Sequence, residues 1–224
     1  DPVPDVSRRA VLVLCADNGV VAQGVSQTDA SVTRAVLENL TARRTSVCRM
    51  AAAAHCDVMP VDMGIAGAPV PGAADCRIAA GTADFTTGPA MTRAQAVQAI
   101  AAGIALVRAQ KQSGAQLLAT GEMGIGNTTT SSAVASVLLG RPVAEMTGRG
   151  AGLSDAGLQR KIDAIERGIA RNHPDAADPL GVLAALGGFD IAGLCGVFLG
   201  GALERLPIVM DGFISGVAAL CAVR

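Results

Sequence analysis

Apolar residues in this chain follow two patterns: short unbroken runs, and longer stretches spaced as on a helix. Val11-Leu-Val-Leu-Cys-Ala16 is continuously apolar and stops at Asp17-Asn18-Gly19, as a strand buried on both faces does when it enters a turn. From Ala30 to His55 apolar positions recur at helical spacing (Val32, Val36, Leu37, Leu40, then Val47, Met50, Ala51, Ala54). The polar break at 41–45 predicts two helices or one kinked helix. Asp57 to Asp62 repeats the strand pattern, and 63–91, rich in Gly and Pro, reads as a long excursion of little regular structure.

Thr92-x-x-Gln95 is a capping box that opens a helix through about Gln112. Gln116 to Thr120 predicts a third strand, and after the glycine-rich Gly121 to Thr129 an apolar helix runs to Leu139. Ser154 to Ala170 and Ile191 to Glu204 read as helices, Leu206 to Met210 as a fourth strand, and a last helix begins near Phe213. Strand and helix in alternation predict an α/β fold of Rossmann-like type. Its parallel sheet would carry helices on both faces in three layers, as a single large domain over residues 1–224.

Composition narrows the partners. Eighteen basic against nineteen acidic side chains leave no surplus of positive charge for nucleic acid or an anionic membrane. The uncharged stretches Ile191–Leu203 and Met123–Gly140 are too short or too polar to span a bilayer. No charged segment followed by an apolar run stands at the first residues, so nothing argues for secretion, and six cysteines without a C-x-x-C pair read as reduced thiols of a cytoplasmic protein. With only two histidines, no metal site or metal-dependent chemistry is expected, and no cofactor.

All four strands run into an acid: Asp17, Asp62, Glu122 and Asp211. Their carboxylates either converge on the crevice at the strand ends or serve only the turns. Gly124 and Gly126 allow close approach of a ligand, and Asn127-Thr128-Thr129 then open a helix whose free N–H groups suit a phosphate. The loop lacks the Gly-Lys-Ser/Thr ending of a nucleoside-triphosphate loop. A second glycine loop, Gly148 to Gly152, precedes the helix carrying Lys161, one of only two lysines. Beside Arg160, Asp163 and Glu166, Lys161 reads from the residues alone as a surface charge. Gly187-Gly188-Phe189-Asp190 is a third flexible spot with an acid.

Gly121-Glu-Met-Gly-Ile-Gly-Asn-Thr-Thr129, Thr147-Gly-Arg-Gly150, Leu186-Gly-Gly-Phe-Asp-Ile-Ala192 and Val209-Met-Asp-Gly-Phe-Ile214 resemble, in order, motifs of the nicotinate-nucleotide:dimethylbenzimidazole phosphoribosyltransferase family. Ala16-Asp-Asn-Gly-Val20 and the segments from Gly81 to Thr92 are similar too, so the resemblance covers nearly the whole chain. It implies transfer of the 5-phosphoribosyl group from nicotinate mononucleotide to an aromatic base, making the lower-ligand nucleotide of cobalamin. Glu122 to Thr129 (with Ile125), Gly150 and Lys161 would then hold the ribose phosphate, with Asp211 lining the site. Asp17, Asn18, Gly19, Gly148, Gly188 and Asp190 would complete the binding residues, and Glu122 and Asp211 are the candidate catalytic acids. Glu122 and Asp211 are expected to face one crevice.

The sequence departs from the family in three places. Asn18 stands where many members have His, and Gly24 to Arg34 differs in the part that lines the base pocket, leaving benzimidazole, purine and phenol acceptors open. Family chains also start earlier and continue into a Gly-Glu-Gly region whose glutamate is the catalytic base. The resemblance therefore implies a core of a longer enzyme, and apolar helices exposed in so small a domain suggest a homodimer. Two other readings stay open: a dinucleotide-binding oxidoreductase, whose fingerprint would follow the first strand, and a non-catalytic ligand-binding subunit or remnant of the same family.

Overall fold

The apolar runs pair as predicted. In the computed structural model, which describes residues 5–224, β1 (Arg9–Ala16), β2 (Cys56–Gly64), β3 (Ala74–Asp75), β4 (Leu117–Met123) and β5 (Ile208–Val209) form one sheet. Its order is β3-β2-β1-β4-β5, and all four pairings are parallel. β1 at the centre pairs along its length with β2 and β4, which is why its residues are almost all apolar. β3 pairs only with Val61 and Asp62, leaving the outer edge of β2 open at Pro60, a residue with no N–H to give.

Successive residues of β1 face opposite layers. Ala10, Leu12, Leu14 and Ala16 join a core built from α3 (Arg93–Gln112), α4 (Asn127–Leu139), α6 (Asp155–Asn172), α7 (Pro179–Leu186), α8 (Phe189–Glu204) and α9 (Phe213–Val223). Val13 and Cys15 meet Leu37 and Leu40 of α1 (Ser31–Thr41) and Cys48 and Ala51 of α2 (Ser46–Ala53). Helices thus cover both faces.

The capping box at Thr92 forms in both directions, Gln95 N to Thr92 Oγ1 at 3.1 Å and Thr92 N to Gln95 Oε1 at 2.9 Å. α3 and α8 touch backbone to backbone: a Cβ on Gly103 would stand 2.0 Å from the Gly193 carbonyl, and one on Gly196 2.0 Å from that of Ile100. All six cysteines are free thiols, four of them buried.

One expectation is settled between its alternatives and two change. The polar break gives two helices, α1 and α2, with Arg43 between them at φ 59°. The excursion at 63–91 is pinned rather than loose, through β3, the bonds from Cys76 N to Asp62 O and Thr82 N to Asp17 O, and Ala90 N to Ala185 O. Two helices, α7 and the short α5 (Val143–Met146), lie where none is predicted. α7 is apolar on every side because it is buried, so it lacks the polar face that makes a helical period visible.

Candidate active site

The sheet order sets the C-terminal ends of β1 and β4 side by side, where the chain's connections diverge to opposite halves of the sheet. Open α/β sheets bind ligands at this position. β4 runs on to Met123, so Glu122 lies inside the strand, not in a turn after Thr120. It does so because Gly121, Glu122 and Met123 pair with Val13, Leu14 and Cys15. Gly124 follows, where a Cβ would stand 2.7 Å from both the Ala16 carbonyl and Asp190 Oδ2, so no side chain fits. Gly126, at φ 91°, turns the chain into α4, and no side chain caps that helix. The N–H groups of Asn127 and Thr129 bond the Gly124 and Gly126 carbonyls at 2.9 Å, which leaves the Thr128 N–H and the positive end of the helix dipole to an anion.

A cavity of about 230 Å³ sits at this turn. Glu122, Gly124, Ile125, Gly126, Asn127 and Thr128 form its β4–α4 wall. Val25, Ser26, Gln27, Arg149, Gly150, Lys161 and Ile214 close the rest. A brace links the two walls: Ile125 N donates to the hydroxyl of fully buried Thr33 in α1 at 3.1 Å.

Lys161 is 1 % exposed, so it is not a surface charge. It lies on the buried stripe of α6 with Gly157, Ala164, Ile165 and Gly168, the side that packs inward. Its Nζ donates to Thr128 Oγ1 at 2.8 Å and to the Gly148 carbonyl at 3.1 Å, and among the described residues it forms no ion pair. Burial pushes its pKa down to about 8. A buried ammonium held only by neutral oxygens is a site waiting for an anion.

Glu122 is raised to about 7, first by burial and then by the charges of Asp190 and Asp211, with the Asn127 amide opposing. Asn127 Nδ2 donates both to Glu122 Oε2 and to Asp190 Oδ2. Asp190 belongs to the first turn of α8 and is 0 % exposed, so the flexible spot expected there is rigid and the acid sits behind Asn127, off the cavity wall.

Other expected residues lie around this centre. Asn18 is buried and donates to the Ile125 carbonyl, and Gly19 N bonds Thr82 Oγ1 at 3.2 Å. Asp17 turns away to accept from Ala66 N at 2.9 Å, and burial raises its pKa. Asp62 is turn chemistry, accepting from Gly64 N and Ile65 N and pairing with Arg77 at 2.8 Å. Thr129 is fully buried beneath the loop. Gly148 supplies its carbonyl to Lys161, and Gly150 needs its freedom at φ 55°. Gly188 packs against Asn18 and Asp190.

Asp211 is not brought into the cavity. β5 is only two residues long, so the turn that follows leaves Asp211 exposed beside a groove lined by Val11, Ala119 and Met50, and only its charge reaches Glu122. The residue reading missed Val25 to Gln27, Arg149, Leu153 and Ile214 on the cavity wall. Most of these had a signal: the resemblance sets the base pocket in Gly24 to Arg34, and Arg149 and Ile214 lie within the motifs Thr147–Gly150 and Val209–Ile214, which leaves Leu153 without one.

An all-parallel sheet with an uncapped helix N-terminus and a buried lysine at its switch point defines an α/β domain of the kind that binds anionic ligands at its carboxyl edge. A family model described as Phosphoribosyltransferase matches residues 1–224, and the chain belongs to that family. It is 48% identical over 222 residues to the nicotinate-nucleotide–dimethylbenzimidazole phosphoribosyltransferase of Ruminiclostridium cellulolyticum, covering 99% of this chain and 63% of that protein. The protein of the same name from Roseiflexus castenholzii is 50% identical over 222 residues, with 98% and 63% covered. The crystal structure of CobT from Thermus thermophilus superposes with a TM-score of 0.92 at 41% identity, over 98% of this chain and 66% of that one. The chain therefore spans under two thirds of the length of these relatives.

Proposed function

We propose that the chain carries the phosphoribosyl-transfer site of a nicotinate-nucleotide:dimethylbenzimidazole phosphoribosyltransferase, acting in cobalamin lower-ligand synthesis. The observation that carries this reading is Lys161, a buried ammonium with no acidic partner among the described residues, set at the uncapped N-terminus of α4. A 5′-phosphate there would gain the Thr128 N–H, the helix dipole and the lysine together. The ribose would then extend toward Glu122, the one acid on the cavity wall. A dinucleotide-binding oxidoreductase has no such support.

In the reaction, the bond from C1′ to the nicotinate nitrogen breaks and its electron pair leaves on nicotinate. The acceptor's nitrogen or phenol oxygen forms the new bond to C1′, and its proton passes to a carboxylate. Positive charge on the ribose is met by Glu122, whose raised pKa also suits proton abstraction near neutrality. Holding both reactants in one cavity supplies proximity. The acceptor belongs to the benzimidazole, purine or phenol class.

A cytoplasmic homodimer is part of the same reading. Exposed Met50, Val209, Met210 and Phe213 supply apolar surface for a second copy, and sedimentation velocity tests it.

Incubation with nicotinate mononucleotide and dimethylbenzimidazole, read by product mass, tests the transfer. Nicotinate and a ribazole phosphate are the expected products. Calorimetric binding of the mononucleotide without product would favour the non-catalytic ligand-binding reading, and absence of both would overturn the assignment.

A further inference from the structure

Asn127 spends both hydrogens of its amide on carboxyls. Its Nδ2 gives one to Glu122 Oε2 and the other to Asp190 Oδ2, the latter at 3.0 Å. Asn127 and Asp190 are buried, while Glu122 lines the cavity. Among the described residues neither carboxyl forms an ion pair. Two carboxyls on one amide without a paired cation resist double ionisation, so one of them gives up its proton well before the other.

The surroundings of the two decide which. Asp190 stands in the first turn of the 16-residue helix α8, where the positive end of the dipole favours an anion. Ile191 N donates to its Oδ1 at 3.0 Å, so each of its oxygens accepts an N–H. Glu122 lies in a strand and, among the described residues, accepts only from Asn127. Hydrogen bonds given to a carboxylate favour its charged form. Burial pushes both carboxyls up, and Glu122 further, because Asp190 has more donors to oppose it. The negative charge therefore settles on Asp190 first, and the proton stays longer on Glu122.

We propose that Asp190 is a positioning residue for Glu122: it remains the ionised member of the pair, fixes Glu122 through Asn127, and by its charge leaves Glu122 as the carboxyl that takes up and releases the proton. The inference deepens the transfer reading of Glu122 and rests on it. Once Glu122 has taken the acceptor's proton it is neutral, and Asp190 keeps a negative charge behind the site to face the positive ribose. Of the other titratable groups around the pair, Asp17 after β1 opposes charge on Asp190, and Asp211 after β5 opposes it on Glu122. Cys15 of β1 stays a neutral thiol, pushed up by burial and by the neighbouring acids, and Asp62 of β2 is paired with Arg77. Lys161 and Arg149 on the cavity wall are held by Thr128 and Gly148 and by Leu153 and Asp155, and neither pairs with Glu122.

Carbon-13 NMR of carboxyl-labelled protein, with no substrate present, follows the two titrations, each carboxyl assigned through its own side-chain carbons. In the wild type the Glu122 midpoint is expected to lie above that of Asp190. Asp190→Asn removes the charge and should lower the Glu122 midpoint by about one unit or more, where one unit is a tenfold change in proton affinity. The acidic limb of the pH profile of kcat/KM for transfer should move down with it, which the loss of a merely structural contact would not do. A wild-type Asp190 that titrates above Glu122 overturns the proposal without any variant, and this reading decides the matter even if Asp190→Asn does not fold. So does a folded Asp190→Asn whose Glu122 midpoint stays within about 0.3 pH unit of the wild type. Because the titrations need no substrate, they stand apart from the product assay, and failure of one is not failure of the other.

Discussion

Lys161 Nζ donates to Thr128 Oγ1 at 2.8 Å, fastening α6 to the first turn of α4 with a charge that no acid among the described residues pairs. Such a charge costs folding energy in the empty protein and returns it when an anion arrives. Lys161→Met should raise the dissociation constant for nicotinate mononucleotide about 10- to 100-fold, the worth of charge-assisted hydrogen bonds, and leave the base less affected. The empty variant should melt no lower than the wild type. Its pKa of about 8 lies below the 10.5 of a free lysine, so the unfolded chain binds the extra proton between those values. Wild-type stability gains a contribution as pH rises through that window, and Lys161→Met lacks it. Calorimetry and melting curves over pH check both points.

Glu122 gives the opposite sign. Its folded pKa of about 7 stands above the usual 4.5, so the folded state holds the proton more tightly between those values. Its contribution to stability is complete below pH 4.5 and fades as pH rises toward 7. Glu122→Gln should therefore be more stable than the wild type at neutral pH and equal to it in acid, while transfer activity falls about 10²-fold or more. A neutral-pH melt showing no gain would refute the burial argument.

Gly124→Ala separates site from fold. The new methyl would press on the Ala16 carbonyl and Asp190 Oδ2. It should move the loop and cost mononucleotide binding at least about tenfold, with overpacking worth about 1–3 kcal/mol. Circular dichroism should keep its helical signal.

Gly196→Ala tests the fold itself. Its Cβ would meet the Ile100 backbone at 2.0 Å, and a helix backbone cannot step aside as a side chain does. Destabilisation at or above about 3 kcal/mol is expected from denaturant unfolding.

Much of this was legible in the residues. β1, whose apolar run needs no partner to be read, and the Thr92 capping box appear where the pattern sets them. The glycine loop at Gly124 and Gly126 announces the cavity. What failed to show depends on distant partners. Glu122 is in a strand only because Leu14 lies opposite, and α7 is hidden by being buried all round. Lys161 could have been found, since Gly157, Ala164, Ile165 and Gly168 mark the inward stripe it shares. Its charged neighbours in sequence drew attention to the wrong face. Asp190 could not have been found as a partner of Asn127, because 63 positions separate the two.

The hydroxyl of Thr33 has a bearing on how such a protein changes over generations. It holds the Ile125 amide from the helix that follows Val25, Ser26 and Gln27, so one bond joins the segment facing the acceptor to the loop facing the phosphate. Under the proposed activity, preference for a new acceptor base can be acquired by replacing side chains at 25–27. Shortening or lengthening that segment would swing α1 and drag the phosphate loop with it. Lineages that switch acceptors should therefore differ here by substitution and not by insertion, with a hydroxyl retained at position 33.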